Sequence, residues 1–193
     1  IPAAAVTALQ ALRDKGNIQQ GKKVLILGSG GGVGTFAVQL AKYFGAEVTA
    51  VCSPANVEQT ISLDADFVID YTKEDFTKKD KSYDLILAIN GNYPLSACKR
   101  LLNPDGKYVM VGGALSQIFK SLVFGRIMSM GSKKMYSLTA KSNRKDLEFI
   151  VKLAEDGKIR PVIEKRYPLE KTADAMHYVN QGHARGKVVI NVD

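Results

Sequence analysis

Residues Lys23 to Ser53 read KVLILGSGGGVGTFAVQLAKYFGAEVTAVCS, and this stretch decides the fold. Val24 to Leu27 is a continuous apolar run, which is typical of a strand in a parallel sheet that is covered on both faces. A glycine-rich turn follows, and the apolar spacing after it predicts an amphipathic helix that ends at Gly45. Glu47 to Cys52 then predicts a second strand. This order of elements is that of a nucleotide-binding unit.

The glycine-rich turn, GSGGGVG at residues 28–34, has the composition that a pyrophosphate site needs. Glycines let the backbone approach the phosphates, and the free N–H groups at the helix start attract their charge. Any tight turn favours glycine, but here the flanking strands and helix stand where the dinucleotide fingerprint requires them. We therefore predict cofactor contacts from Gly30, Gly31, Gly32 and Val33.

Other site chemistries lack their residues. A Walker loop needs Lys and then Ser or Thr after its last glycine, whereas Thr35 and Phe36 follow Gly34. No Gly-x-Ser-x-Gly elbow is present, so hydrolase chemistry is not predicted. Tyr167 and Lys171 fit the Tyr-x-x-x-Lys of short-chain reductases, but Pro168 favours a helix start there, which would take Tyr167 off that helix.

Further strands and helices alternate along the rest of the chain. We predict a single α/β domain over residues 1–193, a doubly wound parallel sheet of the Rossmann type with three layers. The predicted strands after the second are Asp66–Ile69, Tyr83–Ile89, Lys107–Val111, Lys133–Thr139, Ile159–Glu164 and Val188–Val192. The predicted helices in this part are Pro94–Leu101, Asp146–Ala154 and Glu170–Val179.

The end of the second strand bears on cofactor choice. A cofactor without a 2′-phosphate is usually held by an acidic residue about 20 positions after the glycines, and this chain has Ser53 there. A serine hydroxyl donates a hydrogen bond without repelling a phosphate, so we predict that NADP is preferred over NAD. Ser53 also fits a helix N-cap, and the two roles are compatible.

Two loops beyond the carboxyl ends of later strands should face the ligand crevice. Ile89 and Asn90 follow the fourth strand, and we predict that they wall the ribose and nicotinamide. Gly112 and Gly113 follow the fifth strand. They fit either a plain turn or a close ligand approach, and Gly112 is retained as a candidate contact.

Together these residues resemble a known family. The glycine turn with TFAVQLAKYFGAEVTAVCS is similar to the coenzyme domain of medium-chain dehydrogenase/reductases, in particular the zinc-independent quinone oxidoreductase (zeta-crystallin-like) branch. The segments VIDYTKEDF, YDLILAINGN, GKYVMVGG, GKIRPVIEKRYPL and GHARGKVVI continue the likeness across essentially the whole chain.

The resemblance implies further roles. It implies a 2′-phosphate contact for Tyr71 beside Ser53, and cofactor contacts for His183 and Arg185. It also implies that residues 1–15 are a linking helix, that residues 167–193 pack partly on an N-terminal catalytic domain absent from this chain, and that the sixth strand pairs with its copy in a homodimer. The chain opens without Met on an apolar helix, so we expect that it is cut from a longer protein.

Bulk properties exclude several classes of partner. No apolar run approaches the roughly 18 residues of a membrane span, and no signal segment opens the chain. The net charge of +8 is spread along the sequence without a basic helix, so nucleic acid is not an expected partner. The two cysteines, Cys52 and Cys98, form neither a disulfide framework nor a zinc pattern, so we expect no zinc and a reducing, cytoplasmic location.

We therefore expect an NADPH-dependent oxidoreductase that reduces a quinone or an activated carbonyl or alkene. No residue presents itself as a proton donor, so no catalytic residue is assigned. Without a second body to shield the nicotinamide, the chain alone is expected to bind cofactor without turnover. The alternative, from another class, is a dinucleotide-responsive binding or scaffold module that carries out no catalysis.

Overall fold

A computed structural model describes residues 2–78, 80–89, 93–111, 132–182 and 184–192. A parallel sheet with flanking helices dominates the described residues. Its strands are β1 (Lys23–Leu27), β2 (Glu47–Cys52), β3 (Phe67–Asp70), β4 (Tyr83–Ala88), β5 (Leu102–Met110) and β6 (Lys134–Ser137). The helices are α1 (Pro2–Gln10), α2 (Gly34–Tyr43), α3 (Val57–Ile61), α4 (Leu95–Arg100), α5 (Arg144–Glu155) and α6 (Thr172–Asn180).

The six strands lie in the order β3-β2-β1-β4-β5-β6, and every neighbouring pair is parallel. This is the strand order of the Rossmann fold, so the predicted fold class is confirmed. The order reverses between β1 and β4, because β2 and β3 extend the sheet to one side and β4 to β6 to the other. Ligands of open α/β sheets bind at such a switch point.

The uninterrupted apolar sequence of β1 is explained by burial on both faces of the sheet. Val24 and Ile26 belong to the core that α1, α2 and α5 cover, whereas Leu25 and Leu27 belong to a second core that includes Cys98 of α4. Alternate side chains of a strand point to opposite faces, so two helical layers enclose one sheet.

The N-terminal helix is an integral part of the first core. It continues as the π-helical segment Ala11–Lys15, and its apolar face is fully buried against α2 and α5. A buried carboxylate on α5 fastens it, because Asp146 accepts hydrogen bonds from Gln10 Nε2 at 2.7 Å and Arg13 Nη1 at 2.8 Å. Burial acts to raise the pKa of Asp146, but these bonds and one from Asn143 outweigh it and lower that pKa to about 2.

Most predicted boundaries agree with the structure within a few residues, and two differ more. Strand β5 begins at Leu102, five residues before the predicted start at Lys107, because Leu102 pairs with Tyr83 across a register shift. The strand predicted at Ile159–Glu164 is Ile163–Pro168 (β7) instead. Pro161 lacks the N–H that a ladder needs, so pairing starts after it. Strand β7 pairs in parallel with β8 (Lys187–Asn191) in a separate two-stranded sheet.

Candidate functional site

An open cleft of about 1000 Å³ lies at the carboxyl ends of β1, β2 and β4, at the switch point of the sheet. Its lining brings together seven of the predicted cofactor residues. These are Gly30, Gly31, Gly32, Val33, Ser53, Tyr71 and Ile89. The predicted residues Asn90, Gly112 and His183 lie outside the described residues.

The glycine turn forms the floor of the cleft, and two of its glycines have different reasons to lack a side chain. A Cβ on Gly34 would lie 2.7 Å from the Cα of Ser29 and closer still to the Gly28 carbonyl oxygen, so Gly34 allows α2 to pack on β1. A Cβ on Gly31 would meet no atom within 4 Å, because Gly31 faces open space. The turn therefore combines a packing glycine with a glycine that leaves room for a ligand.

The turn after β2 frames another side of the cleft. Ser53 precedes a short 3₁₀ turn, Pro54–Asn56, and its Oγ accepts a hydrogen bond from Asn56 Nδ2 at 2.8 Å. Its side chain makes no capping hydrogen bond, so the alternative role as an N-cap is not seen. The Ser53 O–H remains available to donate to a ligand, and Asn56 Oδ1 is buried without a hydrogen-bond partner among the described residues.

Two tyrosines stand on the cleft wall. Tyr71 follows β3 and is half-exposed, whereas Tyr93 packs edge-on against Phe76 with 4.7 Å between the ring centroids. Burial raises the pKa of Tyr93, so its hydroxyl stays protonated at neutral pH. Flat apolar rings with a polar tip suit the adenine and ribose of a dinucleotide.

A lysine from the far end of the chain reaches the glycine turn. Lys187 opens β8, and a Cβ on Gly32 would lie 2.7 Å from its Cε and closer still to its Nζ. Burial alone lowers the pKa of Lys187, and no carboxylate of the described residues contributes to that shift. A half-buried ammonium group beside a phosphate-binding turn is a natural counter-charge for a pyrophosphate.

The comparisons with known proteins agree with this geometry. A family model described as zinc-binding dehydrogenase matches residues 63–190. The chain belongs to the zinc-binding dehydrogenase family. This confirms the predicted membership of the medium-chain dehydrogenase/reductase superfamily, with quinone oxidoreductase homologues among the relatives.

Two curated relatives and one solved structure show the range of this family. The chain is 38% identical to NAD(P)H oxidoreductase RTN4IP1 of Bos taurus, a mitochondrial protein, over 100% of the chain and 54% of the relative. It is 35% identical to the chloroplast envelope quinone oxidoreductase homolog of Arabidopsis thaliana, over 98% of the chain and 60% of the relative. The quinone oxidoreductase from Coxiella burnetii superimposes with a TM-score of 0.85 at 28% identity, covering 100% of this chain and 59% of that one. The chain thus spans little more than half the length of these relatives.

Although the zinc-binding dehydrogenase family is named for zinc, no group of three or more His, Cys, Asp or Glu in the described ranges could hold a metal ion. Nor does any helix in the described part of the chain have the length and apolar character needed to cross a bilayer. The Tyr-x-x-x-Lys reading is also excluded, because Tyr167 lies in strand β7 and Lys171 in a 3₁₀ turn. The two are therefore not one helical turn apart.

Arg185 is the one described candidate that does not line the cleft. Its Nε donates to Glu164 Oε1 at 2.8 Å, and its Nη1 lies 3.4 Å from the carbonyl oxygen of Ala55. The guanidinium thus sits behind the turn that follows Ser53, beside a smaller hollow that Lys73 also lines. Its predicted contact with the cofactor stays a prediction.

Among the side chains that could bind a ligand, sequence reasoning missed Asn56 and Tyr93 on the cleft wall and Lys187 beside the glycine turn. Asn56 and Tyr93 follow strands β2 and β4 by only a few positions, so a search of both post-strand loops for polar and aromatic side chains would have found them. Lys187 carried a weaker signal, a lysine directly before an apolar strand. Only the packing of β8 shows that it reaches the glycine turn.

Proposed function

We propose that this chain is the dinucleotide-binding part of an NADPH-dependent oxidoreductase that reduces a quinone or an activated carbonyl or alkene. The observation that carries the proposal is the cleft itself, which lies at the switch point of a Rossmann sheet and is lined by a glycine turn that Lys187 contacts. The names of the relatives, which include NAD(P)H oxidoreductases, quinone oxidoreductase homologues and trans-enoyl reductases, support the reaction class.

The described residues fit such a cofactor. When bound, the nicotinamide supplies a hydride, which is the chemistry of the cofactor itself. The protein's part is to bind and orient the dinucleotide. The N–H groups at the start of α2 and the Lys187 ammonium would hold the pyrophosphate. The unpartnered Asn56 Oδ1 would accept a hydrogen bond from a ribose hydroxyl, and the Ser53 O–H would donate to the adenosine side.

The preference for NADPH rests on the end of β2. An acidic residue there would accept hydrogen bonds from the ribose of NADH and repel the 2′-phosphate of NADPH. Ser53 carries no charge, and Tyr71 stands nearby on the cleft wall with a hydroxyl that can donate to a phosphate. Both features favour the phosphorylated cofactor.

Titration calorimetry tests the proposal. We expect NADPH to bind more tightly than NADH, and Ser53→Asp to weaken NADPH by at least about tenfold and to reverse the order, because like charges placed together cost several kcal/mol. Ser62→Asp is the matched control, since it adds the same charge at an exposed serine beyond α3. Equal or tighter binding of NADH by the unmodified protein would refute the preference.

NADPH oxidation measured with a panel of quinones and enones then separates an oxidoreductase from a dinucleotide-responsive module without catalysis. The oxidoreductase consumes NADPH only when an acceptor is present. The assay uses a form of the protein that includes all the domains found in its relatives. If that form binds NADPH tightly but no acceptor leads to NADPH oxidation, the result supports the module without catalysis.

We further propose that the protein is a homodimer joined at β6. This strand is last in the sheet order, so one of its edges faces away from β5, and an edge of this kind pairs readily with a second copy about a two-fold axis. Light scattering should show a dimer, and Ser137→Pro should shift it to monomer. Leu138 N donates to the Met110 carbonyl oxygen of β5 at 2.8 Å, so the N–H of the adjacent Ser137 points away from β5, and proline removes it from the outer edge. Unfolding curves check that the variant is folded. Only monomer at high concentration of the unmodified protein would contradict the proposal.

A further inference from the structure

A buried carboxylate outside the cleft is tied to the segment that borders the cleft. The side chain of Glu164, in β7, is only 8% exposed. It accepts hydrogen bonds from the Arg185 backbone N at 2.7 Å, from Arg185 Nε at 2.8 Å and from the Tyr178 hydroxyl at 2.8 Å. Burial acts to raise the pKa of Glu164, but these bonds outweigh it and hold the pKa below its ordinary value. The carboxylate is therefore ionised and fully engaged at neutral pH.

The segment that this carboxylate holds at Arg185 continues directly to the glycine turn. Gly186 N donates to the Gly30 carbonyl at 3.0 Å, and Lys187 N donates to the Val162 carbonyl at 2.8 Å. Gly186 has a φ of +83°, and a Cβ there would lie 2.5 Å from the Val162 carbonyl oxygen. The backbone of Gly186 is therefore closely packed between Gly30 and Val162. The next residue, Lys187, places its side chain against Gly32.

The same arginine also contacts the turn that follows Ser53. Arg185 Nη1 lies 3.4 Å from the carbonyl oxygen of Ala55, a residue 130 positions away along the chain in the turn that follows Ser53. With its Nε and backbone N on Glu164, Arg185 bridges the small β7–β8 sheet and the turn that frames the adenosine side. Glu164 and Arg185 do not line the cleft; Lys187 does not line it either, but its side chain contacts Gly32, which does.

We propose that Glu164 and Arg185 are positioning residues for the dinucleotide: they hold Lys187 against the phosphate-binding turn and brace the Ser53–Asn56 turn, and neither touches the cofactor. The inference rests on the proposed function, because it concerns the affinity of the same cleft for NADPH. Arg185 then supports cofactor binding by positioning other residues and makes no direct contact with a phosphate.

The decisive variants are Glu164→Gln and Arg185→Ala, measured by calorimetry with both NADPH and NADH. A glutamine presents an N–H₂ group to one of the Arg185 donors, so the bridge loses a contact. We expect each variant to raise the Kd by about tenfold, and by the same factor for the two cofactors. The pyrophosphate that Lys187 would face and the ribose hydroxyl that Asn56 would meet are common to both. A selective loss of NADPH binding by Arg185→Ala would overturn the proposal in favour of direct phosphate contact.

A double-mutant cycle with Lys187→Met tests whether the support acts through the lysine. If Glu164 serves to place Lys187, the double variant Glu164→Gln/Lys187→Met should bind NADPH no more than about twofold more weakly than Lys187→Met alone. Losses that multiply would show independent actions and reject this route.

Glu148→Gln is the matched control, because Glu148 also accepts from an arginine Nε, that of Arg144 at 2.6 Å, but does so on the exposed face of α5. It should leave both Kd values unchanged. Should Glu164→Gln fail to fold, Tyr178→Phe removes one of the three hydrogen bonds and keeps the ion pair, and a rise of about threefold is expected from it. Unchanged affinity in the folded variants refutes the inference alone, whereas an unmodified protein that binds neither dinucleotide refutes the proposed function and this inference with it.

Discussion

The amino ends and the carboxyl ends of the six strands differ in how completely their polar side chains are hydrogen-bonded. These two sides of the sheet are called the amino edge and the carboxyl edge below. At the amino edge, Asp66 accepts from Val48 N at 2.7 Å and from Lys42 Nζ at 2.7 Å, and Asp84 accepts from Lys23 N at 2.9 Å. Each carboxylate ties the start of one strand to the start of its neighbour. This edge is a closed set of hydrogen bonds and ion pairs.

The carboxyl edge is left open. Three buried side-chain atoms of the described residues have no hydrogen-bond partner, and all three lie at or beside this edge. They are Thr35 Oγ1, Asn56 Oδ1 and Asp70 Oδ2. Of the three, Asn56 lines the cleft, whereas Asp70 Oδ2 lies 3.8 Å from Lys73 Nζ. An unsatisfied buried acceptor costs free energy, so we expect a ligand to complete Asn56 Oδ1. The strands of this sheet are therefore tied together at the amino edge, whereas the carboxyl edge carries the cleft.

The largest effect on stability that we expect comes from Gly34, although this residue lies at the carboxyl edge. Gly34→Ala should lower the free energy of unfolding by about 3 kcal/mol, because its Cβ would meet backbone atoms that cannot move aside. Gly31→Ala, in the same turn, should change stability by less than about 0.5 kcal/mol and should weaken NADPH binding, since its Cβ enters open space on the cleft floor. Urea unfolding and calorimetry measure the two quantities. Similar stability losses for both variants would contradict the division within the turn.

A smaller effect would sharpen the division at the amino edge. Asp84→Asn removes the charge that receives the Lys23 N–H and the Lys22 ammonium, so it should cost about 1.5 kcal/mol of stability at neutral pH. The affinity of the folded protein for NADPH should not change. Asp105→Asn, at an exposed residue of β5, is the matched control and should cost less than about 0.5 kcal/mol.

The pH dependence of this difference follows from the pKa of Asp84. Burial acts to raise that pKa, but the hydrogen bonds from Lys23 N and Asn103 and the charge of Lys22 outweigh it, so the folded pKa lies below the unfolded value of about 4. The stabilisation is therefore complete above about pH 5 and is lost as the pH falls through 4 toward the folded pKa. The stability gap between the unmodified protein and Asp84→Asn should close over that range. A stability difference that grows on acidification would show that the folded pKa of Asp84 lies above its unfolded value.

Local patterns were enough to predict the central unit. The apolar run of β1 and the glycine turn predict a covered parallel strand and a helix that follows a glycine turn, because both depend on neighbours in sequence. The β7 strand was predicted several residues too early. Pro161 indicates locally that pairing starts after it, but the extent of β7 depends on its pairing with β8.

The sequence by itself determined the fold class, the glycine turn and the uncharged residue at the end of β2, because backbone freedom, hydrophobic periodicity and side-chain charge are properties of short segments. Only the tertiary structure decided that Lys187 reaches Gly32 and that Arg185 joins Glu164 to Ala55. These contacts join residues far apart along the chain, and their geometry is set by how the β7–β8 sheet packs on the first half of the domain. A charge seen in sequence has no partner until the fold supplies one.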